Sequence, residues 1–225
     1  MPGVTAIIPA YNEAERIATV IAAARAATRI TEVLVVDDGS LDDTGPVAAA
    51  LGVRVLRLAE NQGKGAALRA GATQAHGEFV IFLDADLQSI SPEHIDAMVE
   101  PVVTAQATMA IGIFTDGRPT LDLAQTLAPM LSGQRCLSRA FFLSTPLVDG
   151  SRQGVEIALT VHARASQAGI AFVPLPGVTH CTKEEKLGVV RGVVARGRMY
   201  AEILATLARY YLPSRRYDRS VNGPE

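Results

Sequence analysis

Four short and almost entirely apolar segments in the first half of the chain constrain its fold more than any other feature. These segments are residues 4–9, 32–36, 53–58 and 79–83. Continuous apolar strands belong in a sheet that is covered on both faces. Alanine-rich helical patterns separate them, at residues 13–27, 43–50 and 64–74. The series therefore predicts an α/β fold with a single, mostly parallel, doubly wound sheet flanked by helices.

The second half of the chain continues this pattern less regularly. Ser91, Pro92 and Glu93 predict a helix start, because they supply an N-cap, a proline at the first helical position and an acid in the first turn. The other predicted elements are a strand at 107–114, helices at 121–131 and 155–168, a strand at 171–175 and a long C-terminal helix at 184–211. No linker or repeat interrupts residues 1–212, which predicts one domain followed by a polar tail at 213–225.

The composition is that of an ordinary soluble globular protein. Of 225 residues, 48% are hydrophobic and 20% are charged, which suits one domain with a large core. The net charge of -2 gives no reason to expect a nucleic-acid partner. Cys136 and Cys181 lack the spacing of a zinc site, so we expect two reduced thiols. No signal peptide and no apolar stretch of about 18 residues is visible, which predicts a cytoplasmic protein.

Polar residues follow each of the four apolar segments at the point where the predicted strand ends. They are Pro9 to Glu13, Asp37 and Asp38, Glu60 and Asn61, and Asp84 to Asp86. A single Asp after a strand is usually a turn former, and we expect that role for Asp42 and Asp43. Because ligands of open α/β sheets collect at the carboxyl ends of the strands, four such ends together predict a ligand site.

Asp84 and Asp86 predict a metal at this site. Two carboxylates separated by one residue repel each other unless a cation or hydrogen-bond donors surround them. Mg²⁺ typically takes one or two carboxylates together with phosphate oxygens, so a metal on a diphosphate suits the pair. The alternative is a turn that exposes two solvated carboxylates.

Gly63, Lys64 and Gly65 open a predicted helix and offer backbone N–H groups and an ammonium to an anion. Their spacing does not match a P-loop, and no glycine-rich GxGxxG turn follows the first strand, where Pro9 and Tyr11 lie instead. The sequence therefore argues against a dinucleotide-dependent dehydrogenase.

Four blocks of sequence carry a resemblance to a known family. They read IIPAYNEAERI, VLVVDDGSLDDT, NQGKGAALRAG and FLDADLQ, in this order between residues 7 and 88. Together they resemble the signature blocks of glycosyltransferase family 2, whose enzymes have the GT-A fold and use nucleotide sugars. The resemblance implies a UDP- or GDP-sugar donor and a Mg²⁺ or Mn²⁺ cofactor. It makes residues 1–115 the nucleotide-sugar-binding half and residues 116–212 the acceptor half.

The resemblance also implies roles for individual residues. Those expected to contact the nucleotide sugar are Pro9, Ala10, Tyr11, Glu13, Asp38, Lys64, Gly65, Asp84 and Ala85. Asp86 is expected to bind the metal and to take part in catalysis, and Asp84 to bind the ribose or the metal. His180 is the expected third metal ligand, since imidazole is an acceptable donor. A purely structural histidine is the alternative.

The acceptor half matches the family less closely. Glu156, a lone carboxylate at the start of an otherwise apolar helix, is the candidate base, with Asp149 in reserve. Favourable placement of an acid at a helix N-terminus is the alternative for Glu156. The turn containing Arg135 resembles that of polyprenyl-phosphate glycosyltransferases, which implies an arginine on an acceptor phosphate. A solvated helix-end charge is the alternative for Arg135.

Basic residues of the C-terminal region are candidates for phosphate and membrane contacts. Lys183 and Lys186 lie where related enzymes supply phosphate-binding cations. Arginines beside Tyr210 and Tyr211 suit a peripheral contact with the inner face of a membrane, and they equally suit an ordinary amphipathic helix. A second copy of the chain is a further partner to be considered.

The predicted reaction is a metal-assisted displacement at the anomeric carbon of the donor sugar. A hydroxyl acceptor would need Glu156 as its base, whereas a phosphate is already ionised and would depend on Arg135 and the lysines. The resemblance implies inversion, although retaining enzymes with similar blocks, including those that act on 3-phosphoglycerate, leave this open. A non-catalytic nucleotide-sugar binding module is the alternative from another class. A nucleotidyltransferase lacks support, because its glycine- and arginine-rich loop is missing after the first strand.

Overall fold

The computed structural model describes residues 2–115, 132–146 and 154–180 of the chain. The strands are β1 (Val4–Ala10), β2 (Glu32–Asp37), β3 (Arg54–Arg57), β4 (Phe79–Phe82), β5 (Leu87–Gln88), β6 (Met109–Phe114), β7 (Arg135–Ser138), β8 (Ile170–Leu175) and β9 (Thr179–His180). The helices are α1 (Ile17–Ala26), α2 (Thr44–Ala50), α3 (Lys64–Gln74), α4 (Pro92–Val103), α5 (Arg139–Ser144) and α6 (Val155–Ala165).

Seven strands form one sheet in the order β3-β2-β1-β4-β7-β6-β8. The pairs β1–β2, β1–β4, β2–β3 and β6–β8 are parallel, and only β7 runs antiparallel to its two neighbours among the described strands. This arrangement confirms the predicted α/β fold with a mostly parallel sheet. Strands from the first and second halves of the chain lie in this same sheet.

The core consists of two apolar layers, one on each face of the sheet. Alternate residues of a strand point to opposite faces, so Ile8 packs with α1 and α4 whereas its neighbour Ile7 packs with α3 and α6. Both side chains are fully buried. This two-sided cover explains why the first strands are continuously apolar.

Helix α1 begins later than predicted, at Ile17 instead of Glu13. Asn12 has a positive φ of 57°, and its backbone N–H donates to Ser40 Oγ at 3.0 Å. The Glu13 N–H likewise donates to Thr44 Oγ1 at 2.9 Å. Contacts with the next loop therefore hold residues 12 and 13 outside the helix, against their local preference.

Several short elements were not predicted. Strand β7 and helix α5 follow the turn at Ser132 and Gly133, and β5 pairs with β9 in a separate two-stranded sheet. Strand β7 contains a buried arginine and spans only four residues, so its sequence carries no apolar run. The predicted helices at 121–131 and 184–211, the tail at 213–225, Asp149, Cys181, Lys183 and Lys186 lie outside the described residues.

Two further findings bear on the sequence predictions. Cys136 is a free, buried thiol on β7, and burial raises its pKa well above the usual range. Within residues 2–115, 132–146 and 154–180, no helix is long and apolar enough to cross a membrane.

Candidate active site

The carboxyl ends of β1, β2 and β4 meet at one edge of the sheet. Strands β1 and β2 are in parallel register up to the pair Ala10 and Asp37. The loop after β1 is bound to the loop after β2, because Asn12 Oδ1 accepts the Leu41 N–H at 2.8 Å. Pro9 is half-buried, Ala10 is buried and Tyr11 is exposed, so this joined pair of loops presents the tyrosine ring to solvent. The Glu13 carboxylate forms an ion pair with Arg16 at 3.3 Å.

Asp37 and Asp38 face different surroundings, although they are adjacent in sequence. Asp37 is fully buried; its Oδ1 accepts the Ser40 N–H at 2.9 Å and its Oδ2 lies 3.6 Å from Arg57 Nη1. Asp37 therefore closes its own turn, whereas the contact with a nucleotide was predicted for Asp38.

Asp38 binds the segment that leads into α3. Its Oδ1 accepts the Gln62 N–H and its Oδ2 accepts the Gly63 N–H, each at 2.8 Å. Hydrogen bonds from backbone N–H groups to a carboxylate are among the stronger ones in proteins. Asp38 thereby fixes the position at which α3 begins, and with it the backbone of Lys64 and Gly65.

Asp42 has the structural role expected from the sequence. Its carboxylate accepts the Thr44 N–H at 3.0 Å and the Ala14 N–H at 3.2 Å, which ties the loop after β1 to the start of α2. Burial acts to raise the pKa of Asp42, but the hydrogen bonds from Thr44 and Ala14 outweigh it and lower that pKa.

The centre of the candidate site is an ammonium group between two carboxylates. Lys64 Nζ lies 2.6 Å from Asp84 Oδ1 and 2.8 Å from Glu156 Oε1. Burial acts to lower the pKa of Lys64, but the charges of Asp84 and Glu156 prevail and raise it, so the ammonium is charged. Three residues predicted to be functional, from α3, the end of β4 and the first turn of α6, are thus in direct contact.

The structure corrects one part of the expectation for Glu156. From the sequence it is a lone carboxylate in an apolar helix, whereas in the fold it has Lys64 as a partner. Its side chain is 10% exposed, so it lies at the inner wall of the site. The contact places the first turn of α6 beside the start of α3, which no local pattern reports.

Gly133 and Gln134 belong to the site, and their contacts were not predicted. The Gln134 amide donates to Asp84 Oδ2 at 2.9 Å. A Cβ added at position 133 would lie against Lys64 Nζ and 2.8 Å from Asp84 Oδ2, so these two side chains would have to shift. The Ser132-Gly133 turn was visible in the sequence, but its position against Asp84 depends on the antiparallel pairing of β7 with β4.

Arg135 is fully buried in the sheet, so the alternative of a solvated helix-end charge is wrong. Its Nε donates to the Ser132 carbonyl at 2.9 Å and its Nη1 donates to Thr160 Oγ1 at 3.0 Å. Burial lowers the pKa of Arg135 to about 10, with the charge of Glu156 acting in the opposite direction. The guanidinium therefore stays charged at neutral pH and links β7 to α6.

Asp86 lies just before β5, and β5 pairs with β9. In this pairing Leu87 is opposite His180, so the backbone of His180 lies beside the loop that carries Asp86. Asp86 and Ala85 are half-buried and buried, respectively. Among the described side chains, no group of three or more His, Cys, Asp or Glu residues is preformed to hold a metal ion. Metal binding by His180 stays a prediction.

The donor set at this edge nevertheless suits a divalent cation. The side chain of Asp84 is 29% exposed, and a cationic group already lies against one of its oxygens. Oxygen ligands from one or two carboxylates, completed by phosphate oxygens, are what Mg²⁺ takes in proteins.

Comparison with known proteins identifies a matching family and several similar sequences and structures. The sequence profile described as "Glycosyl transferase family 2" matches residues 5–138. An undecaprenyl-phosphate 4-deoxy-4-formamido-L-arabinose transferase of Sodalis glossinidius is 35% identical over 200 residues, which cover 83% of this chain and 59% of that protein. The succinoglycan biosynthesis protein ExoO of Rhizobium meliloti is 36% identical over 126 residues, covering 52% of this chain and 36% of the relative. The chain thus spans between about a third and three fifths of the length of these relatives.

Among solved structures, glucosyl-3-phosphoglycerate synthase of Mycobacterium tuberculosis is similar with a TM-score of 0.77 and 28% identity. The similarity covers 93% of this chain and 80% of that one. That structure contains Mn²⁺, UDP and glucosyl-3-phosphoglycerate, and another of the same synthase contains Mg²⁺ and UDP. The cofactor expected from the sequence, Mg²⁺ or Mn²⁺, is thus the metal found in these structures.

Proposed function

The chain belongs to glycosyl transferase family 2, and we propose that it moves a sugar from a UDP- or GDP-sugar to a phosphate-bearing acceptor. The observation that carries this proposal is the contact of Lys64 with both Asp84 and Glu156. The family resemblance implies that Lys64 and Asp84 bind the donor, and Glu156 is proposed to serve the acceptor. The groups proposed to act on the donor and on the acceptor therefore both contact Lys64, which holds them close together.

The donor would lie along the carboxyl ends of β1, β2 and β4. Tyr11, which is exposed just after β1, is proposed to contact the nucleotide base with its ring. The same side of the donor site would be lined by Pro9, Ala10 and Glu13. Asp38 is proposed to border the nucleoside while it holds the start of α3. Lys64 and the backbone N–H of Gly65 would face the diphosphate, as the N-terminus of a helix favours an anion.

Asp86 and Asp84 would hold a Mg²⁺ or Mn²⁺ ion, with His180 as a proposed third ligand. When bound, such an ion neutralises the charge that develops on a departing nucleoside diphosphate. The UDP complexes of the similar synthase with Mn²⁺ and with Mg²⁺ support this assignment. Ala85 lies between the two carboxylates and is buried, which anchors the loop that carries them.

A phosphate-bearing acceptor is favoured because two of the three similar proteins described above are named for one. The arabinose transferase is named for undecaprenyl phosphate. The synthase structures contain phosphoglycerate or its glucosyl product. A polyprenyl phosphate attacks through its phosphate oxygen, which is already ionised at neutral pH and needs no base, whereas 3-phosphoglycerate would attack through its free hydroxyl. Lys183 and Lys186 are proposed to serve the acceptor phosphate, whereas Arg135 is fully buried and would support the site only by holding the Ser132 turn. Glu156 would accept a proton if the acceptor is a hydroxyl.

Inversion at the anomeric carbon is the proposed stereochemical course, and the anomeric signals of the product in NMR test it directly. A product with the donor's own configuration would refute inversion without touching the assignment as a transferase.

The experiment that tests the function is a matrix of donors and acceptors. UDP- and GDP-sugars are each incubated with Mn²⁺ and either 3-phosphoglycerate or a short-chain polyprenyl phosphate in detergent, and products are identified by mass spectrometry. Transfer to one of the phosphate acceptors is the expected result, and the two arms distinguish a small soluble acceptor from a lipid. Nucleotide-sugar binding with no product in any arm would contradict the proposal and favour a binding module.

Asp86→Ala tests the assignment of the metal site. Because this carboxylate is proposed to hold the metal on the diphosphate, the variant should lose metal-dependent UDP or GDP binding in isothermal titration calorimetry. Unchanged affinity in the presence of Mn²⁺ would refute the role of Asp86.

A further inference from the structure

The Lys64 ammonium lies against a carboxylate that is proposed to bind the metal. Its Nζ lies 2.6 Å from Asp84 Oδ1, and Asp84 Oδ2 accepts a hydrogen bond from the Gln134 amide at 2.9 Å. Both carboxylate oxygens of Asp84 thus have partners from the protein itself. A divalent cation that binds Asp84 competes with these partners for its oxygens.

Electrostatics decides which of the two partners leaves. An ammonium and a divalent cation at one carboxylate repel each other, whereas a neutral amide adds only a hydrogen bond. The Lys64 ammonium ends a flexible four-carbon chain and keeps a second carboxylate, Glu156, within reach at 2.8 Å. The Lys64 side chain is 24% exposed, so it has room to rotate toward solvent.

We propose that Lys64 is an internal counter-ion that the metal displaces from Asp84, and that the freed ammonium then pairs with the diphosphate of the donor. This inference rests on the proposed function, since it assumes a metal at Asp84 and Asp86. Without a ligand, Lys64 neutralises the facing carboxylates and holds the site together. With a ligand, its charge moves to the phosphates, and its pairing with Glu156 is loosened.

This exchange couples metal binding to nucleotide binding. Metal alone must compete with the ammonium and binds weakly. Metal together with a diphosphate binds tightly, because the displaced ammonium gains a new anionic partner. Lys64 should therefore weaken the binding of metal alone and strengthen the binding of nucleotide in the presence of metal.

The test is the affinity for Mn²⁺ alone, measured from the free-ion signal in electron paramagnetic resonance. Lys64→Met removes the competing cation and should tighten Mn²⁺ binding about tenfold, the order of effect of one charge at contact distance in a partly screened site. UDP or GDP binding at saturating Mn²⁺ should weaken in the same variant. Arg69→Met is the matched control, because Arg69 is exposed on the same helix and its loss changes the net charge equally. Its Mn²⁺ affinity should equal that of the wild type.

Lys64→Gln serves as a second charge-removing variant should Lys64→Met fail to fold, and thermal unfolding verifies that each variant is folded. Mn²⁺ affinity in the folded variant that equals or falls below that of the wild type would overturn the counter-ion role alone. Absence of Mn²⁺ binding in the wild type and in every variant, with or without nucleotide, would instead overturn the metal-dependent function on which the inference rests.

Discussion

At the scale of single residues, Asp84 is the most constrained group of the site. It contacts the Lys64 ammonium and the Gln134 amide, and a Cβ added at Gly133 would lie 2.8 Å from its Oδ2. Asp84 and Lys64 could be predicted from the sequence because they follow a strand and open a helix. Gly133 and Gln134 could not be placed at Asp84, since their position depends on strand β7, whose sequence gives no strand signal.

Gly133→Ala tests this close packing. The added methyl would lie within 3 Å of both Lys64 Nζ and Asp84 Oδ2, so the pair must move apart. A displacement of about 1 Å at a reacting site lowers rates by roughly a hundredfold. We expect a loss of that order in the rate of transfer from the nucleotide sugar, with the protein still folded.

Gly169→Ala is the control for this prediction. An added Cβ there has one neighbour at 3.9 Å, the Cα of Ala107, which is ordinary contact. Its transfer rate should match that of the wild type. A wild-type rate in Gly133→Ala would show that the turn does not constrain the site.

At the scale of elements, the sequence predicts the parallel strands well and the ends of helices less well. Strands β1, β2 and β4 are mainly apolar because helices cover both faces, and this makes them recognisable. The start of α1 was misplaced because Ser40 and Thr44, from another loop, bind the backbone of residues 12 and 13. Such contacts join residues distant in sequence and leave no local signal.

The opposite end of the sheet is held by one carboxylate, Glu32, at the start of β2. It accepts hydrogen bonds from Thr5 Oγ1 at 2.7 Å, the His76 N–H at 2.9 Å and Arg54 Nη1 at 3.0 Å. Burial acts to raise the pKa of Glu32, but these donors outweigh it and lower the pKa below its usual value of 4.5. The carboxylate therefore joins residues of β1, β2 and β3 and the segment before β4 while it is ionised.

Glu32→Gln should be less stable than the wild type at neutral pH, and the difference should shrink in acid. A lowered pKa stabilises the fold above about pH 4.5, and this contribution is lost as the pH falls through the pKa of the folded state. Urea unfolding at several pH values measures the difference. Glu15→Gln is the control, because its side chain is 85% exposed, and it should show little difference at any pH. A difference for Glu32→Gln that does not vary with pH would contradict the prediction.

At the scale of the whole molecule, one sheet brings together the residues proposed to serve the donor and the acceptor. Asp84 follows β4 and Lys64 opens α3, whereas Glu156 lies in α6 far along the chain. The antiparallel strand β7 joins β4 to β6 and β8, so the later part of the chain reaches the edge at which the first strands end. The general position of the site could be predicted from the strand ends alone. The pairing of Lys64 with Glu156 could not, because it depends on how α6 packs.

Ligand binding across this edge should stabilise the whole fold. At a concentration of 100 times the dissociation constant, a ligand adds about 2.7 kcal/mol to the free energy of unfolding. For a domain of this size that corresponds to a rise of about 5–10 °C in the melting temperature. We expect such a rise with UDP or GDP plus Mn²⁺. The rise should be much smaller with ADP plus Mn²⁺, or with UDP or GDP when EDTA replaces Mn²⁺. An equal rise with EDTA would show that nucleotide binds without metal.

The site at the carboxyl ends of β1, β2 and β4 is proposed to carry out metal-dependent transfer from a nucleotide sugar. The most direct test is the rate of nucleoside diphosphate release from the donor that gives product, measured with a phosphate acceptor in Mn²⁺ and in EDTA. We predict acceptor-dependent release in Mn²⁺ that falls roughly a hundredfold or more in EDTA and in Asp86→Asn, since loss of one electrostatic stabiliser costs that much. Release at the same rate in EDTA, or an undiminished rate in Asp86→Asn, would contradict the claim.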